Sequence, residues 1–271
     1  MQRLSSDRHV TALRAGTPFA YQVQPGNEVV VDALSGRANP ATGPIELAGV
    51  RAGDWVAVRI DDVVPVGIGH VGPTQYAPRG GRCVFPDGRS VAVDPNIGVI
   101  GVLPAEGETT NDTCGPHGGN LDCCDHGPGA TAFFRARCDG AGLAFGDVHW
   151  AMGDGEVEGQ GIEGAAELHL GLFRAEAVDC EWPWLIRNGQ IMAIGGSENF
   201  KEAVHIAYEG LISLVSGLFG HGRRQVQDAI GPAGHVRICQ CCCRVLTVRC
   251  TLPLELLGTD EPTLLNRMIH T

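Results

Sequence analysis

Between residues 19 and 70 the chain reads as a series of strands, with segments that alternate apolar and polar positions at the period of a strand with one buried face. Phe19-Ala-Tyr-Gln-Val-Gln and Glu28-Val-Val-Val-Asp-Ala each read as a strand closed by Gly or Pro. Asn39-Pro-Ala-Thr-Gly-Pro is turn chemistry, and Gly49-Val-Arg-Ala-Gly-Asp54 is a tight turn into the β-branched run from Trp55 to Val64. From 95 to 163 short apolar runs (97 to 102, 130 to 135, 141 to 145) are broken by Gly, Asp and His, a pattern of strand ends and connecting loops. Two further strands are expected around Trp182-Pro-Trp. The period then changes. Val204, Ala207, Leu211, Leu214, Val215 and Leu218 recur every three or four residues and predict one amphipathic helix, with Asn199 and Glu202 as a capping box and Gly220 as its stop. Strand character returns at 237 to 240 and 244 to 252, and the tail after Leu257 is expected to be loose.

These elements predict a mainly β fold with a smaller α+β part. The boundary falls near 165 to 190, so 1–165 forms a β-rich body carrying most of the site and 166–271 the smaller α+β portion with the long helix. Composition agrees: 39 glycines and 16 prolines favour many short strands and turns over long helices.

Charge narrows the function. The net charge is −11, Lys201 is the only lysine, and no basic run exists, which excludes phosphate-backbone binding and leaves little scope for lysine-based covalent catalysis. No apolar run opens the chain and none is long enough to span a bilayer, so neither a signal peptide nor a membrane partner is expected. Eleven cysteines without a secretory signal predict reduced thiols and a cytoplasmic location, and the odd count cannot pair completely within one chain.

The chemistry concentrates in His117-Gly-Gly-Asn120-Leu-Asp122-Cys-Cys-Asp125-His126, Gly146-Asp147-Val-His149-Trp-Ala-Met-Gly-Asp154-Gly-Glu156 and Gly161-Ile-Glu163. Polar side chains packed this densely need solvent, mutual hydrogen bonds or a cation. Asp147 and His149 are two apart, as are Asp154 and Glu156, so on strands each pair projects from one face. Such pairs suit a borderline divalent ion, or an acid/base pair around a polarised carbonyl. Glycines such as Gly118 and Gly119 let backbone N–H groups approach a substrate oxygen. Taken singly, Gly-Asp-Gly and His-Gly-Gly are also ordinary turn sequences.

The ordered motifs resemble the acetamidase/formamidase family: His-Gly-Gly-Asn-Met/Leu-Asp at His117 to Asp122, Gly-Asp-x-His-x-x-x-Gly-Asp-Gly-Glu at Gly146 to Glu156, and Gly-x-Glu at Gly161 to Glu163. The likeness extends to Asn39-Pro-Ala-Thr-Gly-Pro-Ile, Gly53-Asp54-Trp-Val-Ala-Val and Gly98-Val-Ile-Gly-Val, and covers about residues 15 to 255. It implies a sandwich- and barrel-like β body, hydrolysis of short amides to carboxylate and ammonia, a divalent metal (zinc foremost, with calcium or another ion as alternatives), a small-molecule substrate and a homo-oligomer. It nominates Asp122, His149, Glu163 and His117 as metal ligands. Asp147, Asp154, Glu156 and Glu163 become acid/base residues, with Asn120, Gly118, Gly119 and Asp32 against the substrate.

Two departures stand out. After Asp122 the family usually has Asn/Ile-Lys-Asp, whereas this chain has Cys123-Cys124-Asp125, which removes a cation. Near the C-terminus Gln-x-Val-Asn-Pro becomes Gln240-Cys-Cys-Cys-Arg244. Cys124 is thereby a candidate nucleophile beside His126 or His149. A thiolate zinc site from Cys239 and Cys241 to Cys243 lacks the usual C-x-x-C spacing. Three functions follow in order: a metal-dependent amidohydrolase, the same scaffold repurposed for cyclisation or dehydration of a specialised metabolite, and a non-catalytic binding protein.

Overall fold

The computed structural model describes residues 1–271, and its strands make the molecule mainly β, with few helices and one large curled sheet. The β-branched run beginning at Trp55 extends to Val71 and forms the sheet's longest strand. It pairs antiparallel with Ile162–Ala175 from Ala175↔Trp55 to Glu163↔His70. Ile162–Ala175 also pairs with Glu28–Ala33, where alternate valines turn inward as their period requires. Ala141–Ala151 lies between Asn96–Gly101 and Ala41–Leu47 and is buried at every position. It carries no alternation because both faces are covered.

Thr131–Arg135 bonds to Trp55–Val71 on one side and to Trp184–Arg187 on the other. Beyond it, Gln190–Ser197, Leu246–Pro253 and His235–Gln240 continue the sheet. The predicted helix runs over Phe200–Phe219 and buries Ala203, Ala207, Leu211, Ile212, Leu214 and Val215. A second apolar cluster forms under it, with Phe133 stacked on Trp184 at 3.8 Å between ring centroids. The larger cluster fills the curl of the sheet around Trp150, Phe134 and Phe145.

Local chemistry explains where the sequence reading held and where it shifted. Asn199 caps the helix by accepting from Lys201 N and Glu202 N, and Gly220 ends it at φ 68°. Glu202 does not close a capping box: its carboxylate accepts from Ser197 Oγ, and that hydroxyl in turn accepts from Asn199 N. The turn expected at 39–44 is shorter, because Ala41–Leu47 is already strand. The tail is not loose. Asp260 accepts from Thr263 N and caps a helix over Glu261–Met268, whose Leu264 and Met268 are buried. No helix is long and apolar enough to cross a membrane.

Candidate active site

Five polar side chains meet in the curl of the sheet. Ala141–Ala151 contributes Asp147 and His149 from one face, as their spacing predicts, with Asp147 Oδ2 3.9 Å from His149 Nε2. Cross-strand pairing of His149 with Glu163 brings in the neighbouring strand's acid. Asp122 arrives from the turn after Gly118–Asn120, held by Leu121 N and Asp122 N donating to Gly98 O. Glu156 comes from the loop after Ala151 and places Oε1 3.5 Å from His149 Nε2.

Asp122 and His149 are fully buried, and Asp147 and Glu156 almost so. Three of the seven non-glycine residues with left-handed φ are acids of this cluster: Asp122 (45°), Asp147 (53°) and Glu156 (43°). Side chains rarely adopt that region, so the surrounding fold imposes it to aim these carboxylates inward. Gly98 leaves the space they occupy. A Cβ there would lie 2.5 Å from Asp147 Oδ2 and 2.6 Å from Asp122 Oδ1.

Electrostatically the cluster is lopsided. Four carboxylates face one imidazole, and no lysine or arginine is paired with any of them. Burial and the neighbouring Asp147 carboxylate hold the Asp122 carboxyl well above the usual range; burial does the same for Asp147. Burial alone would discharge His149, yet Asp147, Glu156 and Asp122 together lift it to about 10. Burial followed by Asp147 pushes Glu163 up to about 7. Within the cluster two polar atoms are buried without a hydrogen-bond partner, Asp122 Oδ1 and His149 Nε2. Each costs free energy unless a ligand satisfies it. The ring's other nitrogen, Nδ1, is bonded to Asn96 Oδ1 at 3.2 Å, which fixes the imidazole plane and aims Nε2 at the acids. Asp122, Asp147 and His149 form one group able to hold a metal ion, and His149, Glu156 and Glu163 a second. Glu163 therefore shares an ion position with Glu156 rather than with Asp122.

Other predicted residues lie elsewhere. Asp154 turns away from Glu156, because the loop carrying both is not a strand and Gly155 sits at φ 94°. Its carboxylate meets the buried Arg249 at 2.7 Å, and Arg249 also bonds Asp125. Asp154 is thus a structural counter-ion. Cys124 is not a paired nucleophile: its thiol bonds to Met152 O, neither ring nitrogen of His126 has a partner, and burial together with Asp154 pushes the thiol up to about 12. The cations beside Cys124 are Arg187, which donates to Cys124 O at 3.1 Å, and Arg249, from a strand 125 residues further along the chain. His117 stands outside both ion groups. Burial and Arg137 lower it to about 4, so it is a neutral packed imidazole.

The residues assigned to substrate also change role. Asp32 pairs with Arg3 at 2.6 Å on the sheet's edge. Gly118 and Gly119 are required by strand packing, since a Cβ would meet Ile100 O at 2.2 Å or Thr113 O at 2.4 Å. Asn120 donates to Asp122 Oδ2 and accepts from Asn39 Nδ2 at 3.0 Å, so it positions Asp122. Sequence reasoning missed Asn96 and Asn39. Neither belongs to a periodic pattern, and only the pairing Asn96↔His149 reveals the first.

The comparisons agree with this architecture. The model of the Acetamidase/Formamidase family matches residues 102–210, which contain the five clustered side chains. A predicted acetamidase/formamidase from Thermoanaerobacter tengcongensis superposes with a TM-score of 0.88 at 28% identity, over 96% of this chain and 99% of that one. An acetamidase from Bacillus halodurans gives 0.86 at 28%, over 95% and 100%. One from Yersinia enterocolitica shares the fold at 0.86 and 24% identity, over 95% and 93%. Among curated proteins, none matched the sequence. Fold and site together define a β-rich amidohydrolase-type enzyme. Within that class the chain matches the acetamidase/formamidase family model over residues 102–210, and its fold follows the solved acetamidases along nearly its whole length.

Proposed function

We propose that this protein is a metal-dependent amidohydrolase that cleaves a small amide to a carboxylate and ammonia. One observation carries the reading: Asp122 Oδ1 and His149 Nε2 are buried without a hydrogen-bond partner, among four acids that no lysine or arginine neutralises. Like-charged buried carboxylates cannot all ionise without a cation, and the imidazole–carboxylate donor set suits zinc foremost, with calcium as the alternative. Asp122, Asp147 and His149 would hold it. When bound, the ion supplies Lewis-acid charge to the amide carbonyl oxygen.

The chain's own acids divide the proton work. Glu163, with its pKa near 7, takes a proton from the attacking water as the carbon–oxygen bond forms. That proton passes by way of the neighbouring Glu156 carboxylate to the nitrogen as the carbon–nitrogen bond breaks. Asn120 keeps the Asp122 carboxylate oriented. Two relatives at 28% identity are described as acetamidases or predicted acetamidase/formamidases, which points to a short, unbranched amide. The reading includes a cytoplasmic homo-oligomer with neither nucleic-acid nor membrane partners, which light scattering on the purified chain tests for assembly.

Ammonia release from formamide, acetamide and propionamide is the decisive assay. Release that disappears on chelation and in His149→Ala is expected. Metal-replete protein that releases no ammonia from any small amide overturns the proposal.

A further inference from the structure

The cysteine-rich loop that replaces the family's Gln-x-Val-Asn-Pro lies at the mouth of the acid cluster. It is tied to the loop bearing Glu156 by paired backbone bonds: Gly155 N donates to Cys239 O at 3.1 Å and Cys241 N donates to Gly155 O at 2.9 Å. Gln240 Oε1 then accepts from Cys243 N at 3.0 Å and sits 3.7 Å from Cys242 Sγ, so one side-chain amide organises both thiols. Cys242 Sγ is 3.3 Å from Glu156 Oε2 and 3.9 Å from Cys243 Sγ. Cys242 is exposed and Cys243 half-buried, so ions can reach them from solvent.

We propose that Cys242, Cys243 and Glu156 form a second cation site, selective for thiophilic divalent ions such as zinc or cadmium. A tetrahedral ion with metal–sulfur bonds of about 2.3 Å and metal–oxygen bonds of about 2.0 Å sets its two sulfurs about 3.8 Å apart and sulfur from oxygen about 3.5 Å. The Cys242–Cys243 and Cys242–Glu156 edges already have those lengths. The third edge, from Cys243 Sγ to Glu156, is longer and has to shorten on binding, through side-chain rotation in a loop whose Cys242 and Cys243 are not fully buried. Binding converts two thiols to thiolates and releases two protons to solvent, and the dication meets two thiolates and one carboxylate. Gln240 Oε1 or water fills the fourth position. The donors differ in softness from those of Asp122, Asp147 and His149, so thiolate ligation separates the two sites spectroscopically.

The test uses the intact, reduced chain titrated with cadmium alone, following the ultraviolet thiolate-to-cadmium charge-transfer band, which carboxylates and imidazole do not give. A band saturating at one cadmium per chain is expected. It should vanish in Cys242→Ser and Cys243→Ser, persist in Cys241→Ser, and need at least about tenfold more cadmium in Glu156→Gln. A thiol reagent on unmodified protein gives a second readout needing no variant: saturating cadmium should protect two of the eleven free thiols. Absence of a band, a band of full size in Cys242→Ser/Cys243→Ser, or no protected thiols overturns the proposal. None of these readouts depends on amide hydrolysis, so the outcome is independent of the proposed reaction.

Discussion

Two acid clusters grow from the same stretch of sequence and end as opposites. Asp122, Asp147, Glu156 and Glu163 surround His149 with no basic partner. Asp125 and Asp154, three and two residues away from members of the first group, grip Arg249 instead. The second cluster is electrostatically closed: a buried guanidinium with two carboxylates stabilises only if its geometry satisfies every charge, and here both acids reach it. The first is open, with an orphaned oxygen and an orphaned nitrogen. The contrast teaches that acid density alone does not mark chemistry; a missing counter-ion does.

The largest effect that could break this comparison is on turnover. Asp122→Asn should cut ammonia release by about 10³-fold through loss of a ligand at the orphaned site, while Asp154→Asn should leave kcat within about threefold. Equal losses in both would erase the distinction between the clusters.

Stability should show the reverse order. Arg249→Met leaves Asp125 only Arg187 at 3.6 Å and Asp154 only Arg237 at 3.5 Å, and should cost about 2 kcal/mol in urea unfolding, with partial recovery in Arg249→Met/Asp154→Asn. A change below about 0.5 kcal/mol would show that the pair is not holding the loop.

Glu163 supplies the pH dependence. Its carboxyl titrates near 7, and it acts as a base only when deprotonated, so kcat/KM should rise as pH increases through about 7. Glu163→Gln should lose about 10²-fold and flatten that limb. A rising limb that survives in Glu163→Gln assigns it to another group.

The smallest effect sharpens the comparison most. Asp147→Asn should stabilise chelator-treated protein by about 1 kcal/mol at neutral pH, because it relieves the repulsion with Asp122. The sign follows from the raised carboxyl pKa values. The folded state binds protons that the unfolded state has already released, so these acids cost stability above about pH 4 and cost nothing below it. The gain should therefore shrink as the solution is acidified toward pH 4. Destabilisation at neutral pH would contradict the open character of the site.

Much of this was readable before folding was considered. Alternation in Glu28–Ala33, the β-branched run from Trp55 and the three- to four-residue period after Val204 each fixed an element, because backbone geometry maps local spacing onto a buried face. The family motifs pointed to the stretch from His117 to Glu163, from which the fold gathers the acid cluster. What misled was treating Asp154 and Glu156 like Asp147 and His149, since identical spacing holds a shared face only on a strand. The tail after Leu257 was misjudged because a short helix carries too few apolar positions to show a period.

The sequence by itself determined the β-rich class, the long helix and its caps, and the pool of acids and imidazoles from which a site must be drawn. Only the tertiary structure decided which acids remain unpaired. Arg249 lies 124 residues beyond Asp125, yet sheet register places it against Asp125 and Asp154. The same register leaves Asp122 and His149 together without a lysine or arginine. Local spacing sets which way a side chain points, but charge compensation acts through space, and only the folded chain brings those distances about.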